Sequence, residues 1–572
     1  MRWTRRQPDK CIPWRIPAKY VIHTERAWGF ESVRHFVRTG LPWMITFRYW
    51  RGKGATGDSF LNMLTLTEGL LICTCSSTFI FLIYSCVLRM RKTRLVPGPE
   101  GYLCCGNSFQ IQADHIHKNL KEYHEIYGKI VRLKIFGTTI ISISSLNLLK
   151  SAFECNPSCE IANDRSENST SGVFYGRKHI GMADLHSVTL LLREFHKSVA
   201  PNISETGGNL DFRFRTEIHN LYLELNSKNR SDTNPHDYLR SFHKNLCSIL
   251  LIGVTLPPED PDHDVLWEFI DHLYALIDPA VDAALRTFPF LRLLPGYYGD
   301  LYRQTIAARD RVAKRFFEDQ KASYRPGVVR GLVDVCLINQ QAEITRTGTS
   351  WLTDEHIKGL IYDTLAAGMT ELLKSLRLFL LLMCHHPEVQ ARIQTEVDTV
   401  IGSDRFPKAG DRMWMPYTEA VMLEVWRYGS QTPLAIPHLC RKDVVLEEYL
   451  IEAGTVIFPN LYAVHHDEAV WGDPWNFRPE RFLDAKGNLL PTEHVFMLNV
   501  IPFGVGKRAC PGQDFARSRI FITVAALIQR MRIEPPENSE LPSPDPRLYT
   551  KNYPMNEPQF QCRFLARGDV FV

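Results

Sequence analysis

Hydrophobic positions along the chain fall into three kinds of run. The first is unbroken. Gly69 to Leu88, GLLICTCSSTFIFLIYSCVL, carries no charge and has the length of about twenty residues that crosses a bilayer core. Arg89, Arg91, Lys92 and Arg94 follow at once, and basic residues beside a span stay cytoplasmic, which puts the rest of the chain in the cytosol. Arg48, Arg51 and Lys53 upstream pull the other way, so charge alone does not set the orientation. The second kind has helical spacing. It predicts helices over His115 to Tyr127, from Met415 through Arg427 after Pro416, and over Asp514 to Arg530. The longest, Glu355 to His385, follows the capping pair Thr353 and Asp354 and is apolar on most faces, which predicts burial. The third kind is rich in β-branched residues. Lys129 to Leu148 reads as a hairpin, and Val456 to Pro459 and Gln559 to Phe564 read as strands of a small sheet.

The punctuation between these runs sets the organisation. Leu95-Val96-Pro97-Gly98-Pro99-Glu100-Gly101 forbids helix and predicts a stiff hinge between anchor and globule. His385-His386-Pro387-Glu388 reads as a polar turn, because adjacent histidines do not share a helix face. Residues 1 to about 60 are rich in Arg and Trp without a clean period. Asp9, Glu25 and Glu31 argue against a mitochondrial transit peptide, leaving mitochondria the second choice of compartment. The division expected is an extension at 1–68, an anchor at 69–88, a basic stop and hinge at 89–101, and a catalytic domain at 102–572. Starting at Met63 would leave positive charge only behind the span, so residues 1–62 are expected to be absent from the main product.

Composition narrows the class. The net charge of +4 comes without a long single-sign run, which does not suggest nucleic-acid binding, and 45% hydrophobic residues suffice for a large core. The 14 cysteines are scattered without paired CxxC sets; Cys155 and Cys159 have no companion ligands, and a reduced compartment fits.

One stretch carries chemistry: Pro502-Phe503-Gly504-Val505-Gly506-Lys507-Arg508-Ala509-Cys510-Pro511-Gly512. Cysteine ligates a metal as thiolate, and Cys510 sits just before a predicted helix N-terminus, where the dipole favours the anion. Gly506 and Gly512 let the backbone curl around the sulfur, Arg508 offers a cation to an acidic group, and Phe503 screens the site from water. A lone cysteine is more often a small buried hydrophobe. Here the phenylalanine, glycines, arginine and cysteine all stand at fixed spacing, and a thiolate held this way is the kind of axial ligand that haem iron takes.

The string FGVGKRACPG closely resembles the haem-binding signature of the cytochrome P-450 superfamily, and the C-terminal half is most similar to the animal microsomal family-two branch. The resemblance spans residue 95 to the end and includes the proline-rich hinge. It implies a mainly α fold with a small β-rich subdomain around one haem b, preceded by a single N-terminal transmembrane helix. Ala366-Ala367-Gly368-Met369-Thr370-Glu371 resembles the long helix crossing the haem, with Ala367 beside it and Gly368 opening an oxygen groove. The family order there is acid then Thr. Here Thr370 precedes Glu371, so Glu371 is expected to face the oxygen site and Thr370 the surface-connected water. Glu424 and Arg427 match the family's Glu-x-x-Arg, and Arg481 of Pro479-Glu480-Arg481-Phe482 completes a buried triad. His438, Arg508 and Arg193 fall where residues meet the haem propionates, while Thr189 stands where the family has tryptophan. Leu434 to Ile436 would line the pocket. The activity implied is mono-oxygenation of a fatty acid, steroid or foreign lipophile at the endoplasmic reticulum membrane. Dioxygen is the co-substrate, and electrons come from NADPH through the diflavin NADPH-cytochrome P-450 reductase. Two alternatives remain: an isomerase or dehydratase of lipid peroxides, or a silent haem protein that holds a lipid or gas.

Overall fold

The computed structural model describes residues 95–567 except 103–104, 113–114, 155–161, 166–168, 175, 203–209, 229, 550–554 and 556. The apolar span at 69–88, the extension before it, and Cys155 and Cys159 lie outside the described residues. Among the described residues no helix is long and apolar enough to cross a membrane.

Helices dominate. They are α1 (Ile116–Tyr127), α2 (Leu146–Phe153), α3 (Ser187–Asn202), α4 (Leu210–Asn226), α5 (Pro235–Ile252), α6 (Val265–Leu276), α7 (Pro279–Thr287) and α8 (Tyr297–Ala313). After them come α9 (Leu332–Thr347), α10 (Asp354–His385), α11 (Pro387–Val400), α12 (Pro416–Gly429), the short α13 (Leu461–His465) and α14 (Gln513–Arg530), with single turns between. The central member is α10. Its apolar residues point to every side, and it packs against α5, α12 and α14. It ends where Pro387 opens α11, because proline does not continue a helix but suits the first turn of the next.

Four strands form one sheet in the order β1 (Ile130–Ile135), β2 (Thr138–Ile143), β6 (Val456–Pro459), β3 (His438–Leu439). The β1–β2 turn places Phe136 at φ 43° and Gly137 at φ 85°, the left-handed pair that closes a tight hairpin. β2 runs parallel to β6, and His438 pairs with Ile457, which fixes His438 at the sheet edge. A hairpin of β4 (Val444–Leu446) and β5 (Tyr449–Ile451) stands apart, as does one of β7 (Met531–Glu534) and β8 (Arg563–Ala566).

Three expectations change. The stretch Lys129 to Leu148 is not all hairpin: Ser145 is extended and Leu146 starts α2, since Leu146, Leu149 and Phe153 bury one helical stripe. The last strand starts at Arg563 rather than Gln559, and it pairs with β7, not with the sheet holding Val456 to Pro459. The proline-rich stretch is docked: Arg132 N–H donates to Pro97 O at 2.8 Å, Val96 is buried, and a Cβ on Gly98 would lie 1.9 Å from Arg132 O.

Candidate active site

The Cys510 loop is held from several sides. Cys510 N–H donates to Phe503 O at 2.8 Å, and Gly504 N–H donates to Ile501 O at 3.0 Å. Gly506 has φ +76°, and a Cβ there would meet Phe153 O at 2.7 Å, so both conformation and contact require glycine. Just ahead of the loop, Ile501 N–H donates to His465 Nε2 at 3.0 Å, and His465 Nδ1–H reaches Ser430 Oγ at 2.8 Å. Helix α14 begins directly after Gly512. Burial raises the Cys510 thiol above its ordinary pKa, while the Gly512 N–H and the Arg193 guanidinium pull it down. Phe503 packs edge-on against Trp426 with ring centres 5.4 Å apart.

Beside the loop lies a buried set of cationic and imidazole groups. Arg508 donates to Asn163 O at 2.8 Å and Ile180 O at 3.3 Å, and Arg193 donates to Ala509 O. Arg165 donates to Gly181 O at 3.0 Å, Ile436 O at 2.8 Å and Pro437 O at 2.9 Å. His438 Nδ1–H donates to Ala162 O at 3.0 Å. All four residues are buried. Neither Arg193 nor Arg508 has a carboxylate in ion-pair contact among the described residues. Burial pulls Arg508 down to about 10 and holds His438 well below its ordinary value, with the neighbouring guanidiniums adding to both effects. The sequence singled out Arg508, Arg193 and His438. It missed Arg165, which sits in a loop before α3 and shows no local pattern. Thr189 is buried and spends its hydroxyl on Asp184 O at 2.8 Å.

The middle of α10 shows one accessible face. Ala367 is exposed and Glu371 partly so, four residues apart on a helix whose neighbouring turns are buried. The Glu371 carboxylate adds a small electrostatic push that raises the Cys510 thiol pKa. Thr432 Oγ1 donates to Glu371 Oε2 at 2.8 Å. Burial raises the Glu371 pKa, with Lys374 and the Thr432 bond working against it. Thr370 does not face surface water: it is buried and its hydroxyl has no hydrogen-bond partner. Gly368 lies against another helix, since a Cβ there would meet Cys247 Sγ of α5 at 3.1 Å. Leu434 packs with Leu120, Leu133, Ile140 and Val456 on the sheet side.

Behind the loop, Glu424 takes Arg427 in a fork, at 2.6 Å from Nε and 2.8 Å from Nη2, and takes Arg481 Nε at 3.1 Å. All three side chains are fully buried. Arg427 also donates to His465 O at 2.9 Å, which connects this cluster to the histidine holding Ile501.

The family model described as "Cytochrome P450" matches residues 96–561. The chain belongs to the cytochrome P450 family. Among its relatives, "Cytochrome P450 2D27" of Mesocricetus auratus is 30% identical over 482 residues, covering 82% of this chain and 93% of that one. "Cytochrome P450 2A13" of Homo sapiens is 27% identical, covering 83% and 94%. A "Steroid 17-alpha-hydroxylase/17,20 lyase" of Ictalurus punctatus is 34% identical over 286 residues, 50% of this chain and 55% of its own. The protein is therefore a haem-dependent oxidoreductase of the monooxygenase type. Its residues fit the cofactor: Arg193 and Arg508, buried and without a carboxylate in ion-pair contact among the described residues, suit two propionates, and Cys510 would supply a thiolate ligand.

Proposed function

We propose that the chain inserts one atom of dioxygen into a lipophilic substrate, a fatty acid, steroid or xenobiotic, with electrons from NADPH through a membrane-bound diflavin reductase. It does so from the endoplasmic reticulum membrane, anchored by residues 69–88 with the catalytic domain in the cytosol. The observation that carries this reading is the hydrogen-bonded Cys510 loop with the buried Arg508, Arg193, Arg165 and His438 gathered beside it. When bound, haem supplies the redox centre at which dioxygen is reduced. The chain supplies the rest. Cys510 would ligate the iron from a loop whose backbone is tied at Phe503 O and Ile501 O, and Arg508, Arg193, Arg165 and His438 would hold the propionates. Glu371, whose pKa burial raises and whose Oε2 accepts from Thr432, is the proton donor into the pocket. Gly368 lets α5 approach α10 closely. The triad Glu424, Arg427 and Arg481 keeps the loop's support rigid.

The unpartnered hydroxyl of Thr370 favours a second reading, in which the proton relay is absent and the enzyme rearranges lipid peroxides without a reductase. One experiment separates the two. The haem-loaded protein is screened for substrate-induced spectral shifts with fatty acids and steroids. Each binder is then turned over with NADPH plus reductase, and in parallel its hydroperoxide is supplied alone. Product only in the reductase arm supports mono-oxygenation, and product only from hydroperoxide overturns it.

A further inference from the structure

The loop from Lys178 to Ala183 is pinned between α10 and the buried arginines beside Cys510. On one side it lies directly on the helix. A Cβ on Gly359 would overlap Lys178 O and crowd His179, so only glycine lets the loop come this close. One turn further along, Asp363 accepts three hydrogen bonds from the loop: from Ile180 N–H at 2.6 Å, from His179 Nδ1–H at 2.9 Å and from Gly181 N–H at 3.4 Å. On the other side, Arg508 donates to Ile180 O and Ala183 O, and Arg165 donates to Gly181 O. His179 thus stands between the cations that suit the propionates and the accessible stripe of α10. Along that stripe Asp363, Ala367 and Glu371 follow at four-residue spacing, and none of the three is buried. The His179 ring also stacks on Phe174, with centres 4.3 Å apart and planes 22° apart.

Asp363 accepts from all three groups, so the proton sits on His179 Nδ1 and Nε2 keeps its lone pair. That nitrogen is buried and has no hydrogen-bond partner. It has lost water and gained nothing in its place, so a donor that reaches it is favoured. The carboxylate of Asp363 is already engaged by three donors, which leaves the imidazole as the free acceptor at this end of the stripe. We infer that His179 is a specificity-determining residue, whose Nε2 accepts a hydrogen bond from a hydroxyl group on an otherwise lipophilic substrate. The inference rests on the mono-oxygenation reading above and names its substrate class: an alcohol rather than the matching ether or ketone. An ether or ketone oxygen has no hydrogen to donate and would set its lone pairs against that of Nε2. Asp363 precedes Ala367 by four residues, about 6 Å of helix. The hydroxyl is therefore held at one end of the stripe, and the carbon that lies beside Ala367 is a remote one.

The test measures equilibrium binding to the full haem-loaded chain, by spectral shift and by calorimetry. The probes are a saturated steroid alcohol (androstanol), its methyl ether and the corresponding ketone, with dodecanol and its methyl ether as a second skeleton. On at least one skeleton the native protein should bind the alcohol roughly tenfold more tightly than its partners, the worth of one hydrogen bond to a buried acceptor. Two variants remove Nε2. His179→Asn keeps an N–H for Asp363, and His179→Phe keeps a ring against Phe174. Each is first checked for the native ferrous–carbonyl band, so that loss of fold or haem is seen separately. Both should bind the ether and the ketone as the native protein does and lose the preference for the alcohol. The inference is overturned if the native protein binds none of the probes, if it binds the alcohol no more tightly than the ether, or if the preference survives in either variant. Neither dioxygen nor a reductase enters this measurement. A preference for the alcohol with no product under NADPH and reductase supports the role of His179 and counts against mono-oxygenation, whereas product without the preference does the reverse.

Discussion

Removing the Glu424 carboxylate is the sharpest perturbation of the fold around the cysteine loop. Glu424 accepts from Arg427 Nε and Nη2, from Arg481 Nε, and from the Arg478 backbone N–H at 2.9 Å. Arg481 keeps a carboxylate after Glu424→Ala, since Asp473 lies 3.1 Å from its Nη1. Arg427 does not: its remaining hydrogen-bond partners are the carbonyls of His465, Pro474 and Asn476, and its side chain is fully buried. One guanidinium is therefore left inside the protein without a counter-charge, a loss of about 3–5 kcal/mol. Against a typical total of about 5–15 kcal/mol, that is enough to cut the yield of folded protein sharply. Glu424→Gln retains an acceptor oxygen but turns an amide N–H towards an arginine donor, and should fall between native and alanine. The assay is urea unfolding of the purified chain, followed by far-UV circular dichroism. Changing Glu424, Arg427 and Arg481 together to Leu, Met and Met removes the buried charge altogether and should recover part of the loss. An alanine variant within about 1 kcal/mol of native would refute the reasoning, because only a water-screened pair is worth so little.

Other outcomes follow from the same geometry. Cys510→Ala should abolish the long-wavelength Soret band of the ferrous–carbonyl complex, which reports thiolate donation; a retained band moves the ligand elsewhere. Product formed per NADPH should decline in the native enzyme as pH rises through the raised Glu371 pKa, and Glu371→Gln should be poorly coupled at every pH. A Gln variant that couples as well as native excludes Glu371 as the donor. Arg165→Ala removes a buried cation and its bonds to Gly181, Ile436 and Pro437, and haem transfer to an acceptor globin should become faster. Acid should destabilise the fold through neutral buried histidines, His124 and His243 at about 4 and His465 at about 3, against 6.5 for the free side chain. Their stabilisation is complete above pH 6.5 and drains as pH falls towards 4, at up to about 1.4 kcal/mol per unit for each residue. Urea midpoints flat from pH 7 to 5 would contradict this.

What the sequence revealed, and what it hid, divides along a physical line. Helix α10 was legible to within one residue because its cap, its length and its apolar character are all local, and α14 was legible for the same reason. The glycines of the 502–512 loop were legible because the tight turn there needs them: Gly504 and Gly506 both sit at positive φ. Arg165 was not, because its role lies in carbonyls some 270 positions away, at Ile436 and Pro437, and no periodicity encodes such a contact. His465 was hidden likewise: its function is to hold Ile501 and Ser430 at once, and nothing in its own helix marks it. Gly368 could be read as a small residue but not assigned its neighbour, which turned out to be Cys247 of α5.

The reversed pair on α10 joins both sides of that line. One helical step turns a side chain by about 100°, so exchanging acid and alcohol cannot leave each group in place. Ala367 and Glu371, four apart, share the accessible face, and this much follows from spacing alone. Spacing does not say what receives the displaced alcohol. The surroundings of Thr370 are closed, and its hydroxyl is left without a partner, so it does not extend the chain of proton donors. The hydroxyl that reaches Glu371 comes instead from Thr432, 61 residues on, at 2.8 Å. An alcohol still stands beside the acid, but it is supplied across the fold rather than along the helix. Thr432→Val therefore separates the two arrangements. It removes the bond that lowers the Glu371 pKa and should shift the fall in coupling to higher pH, whereas Thr370→Val should leave that profile where it is. A profile that moves with Thr370 and not with Thr432 would show that the relay runs along α10 after all.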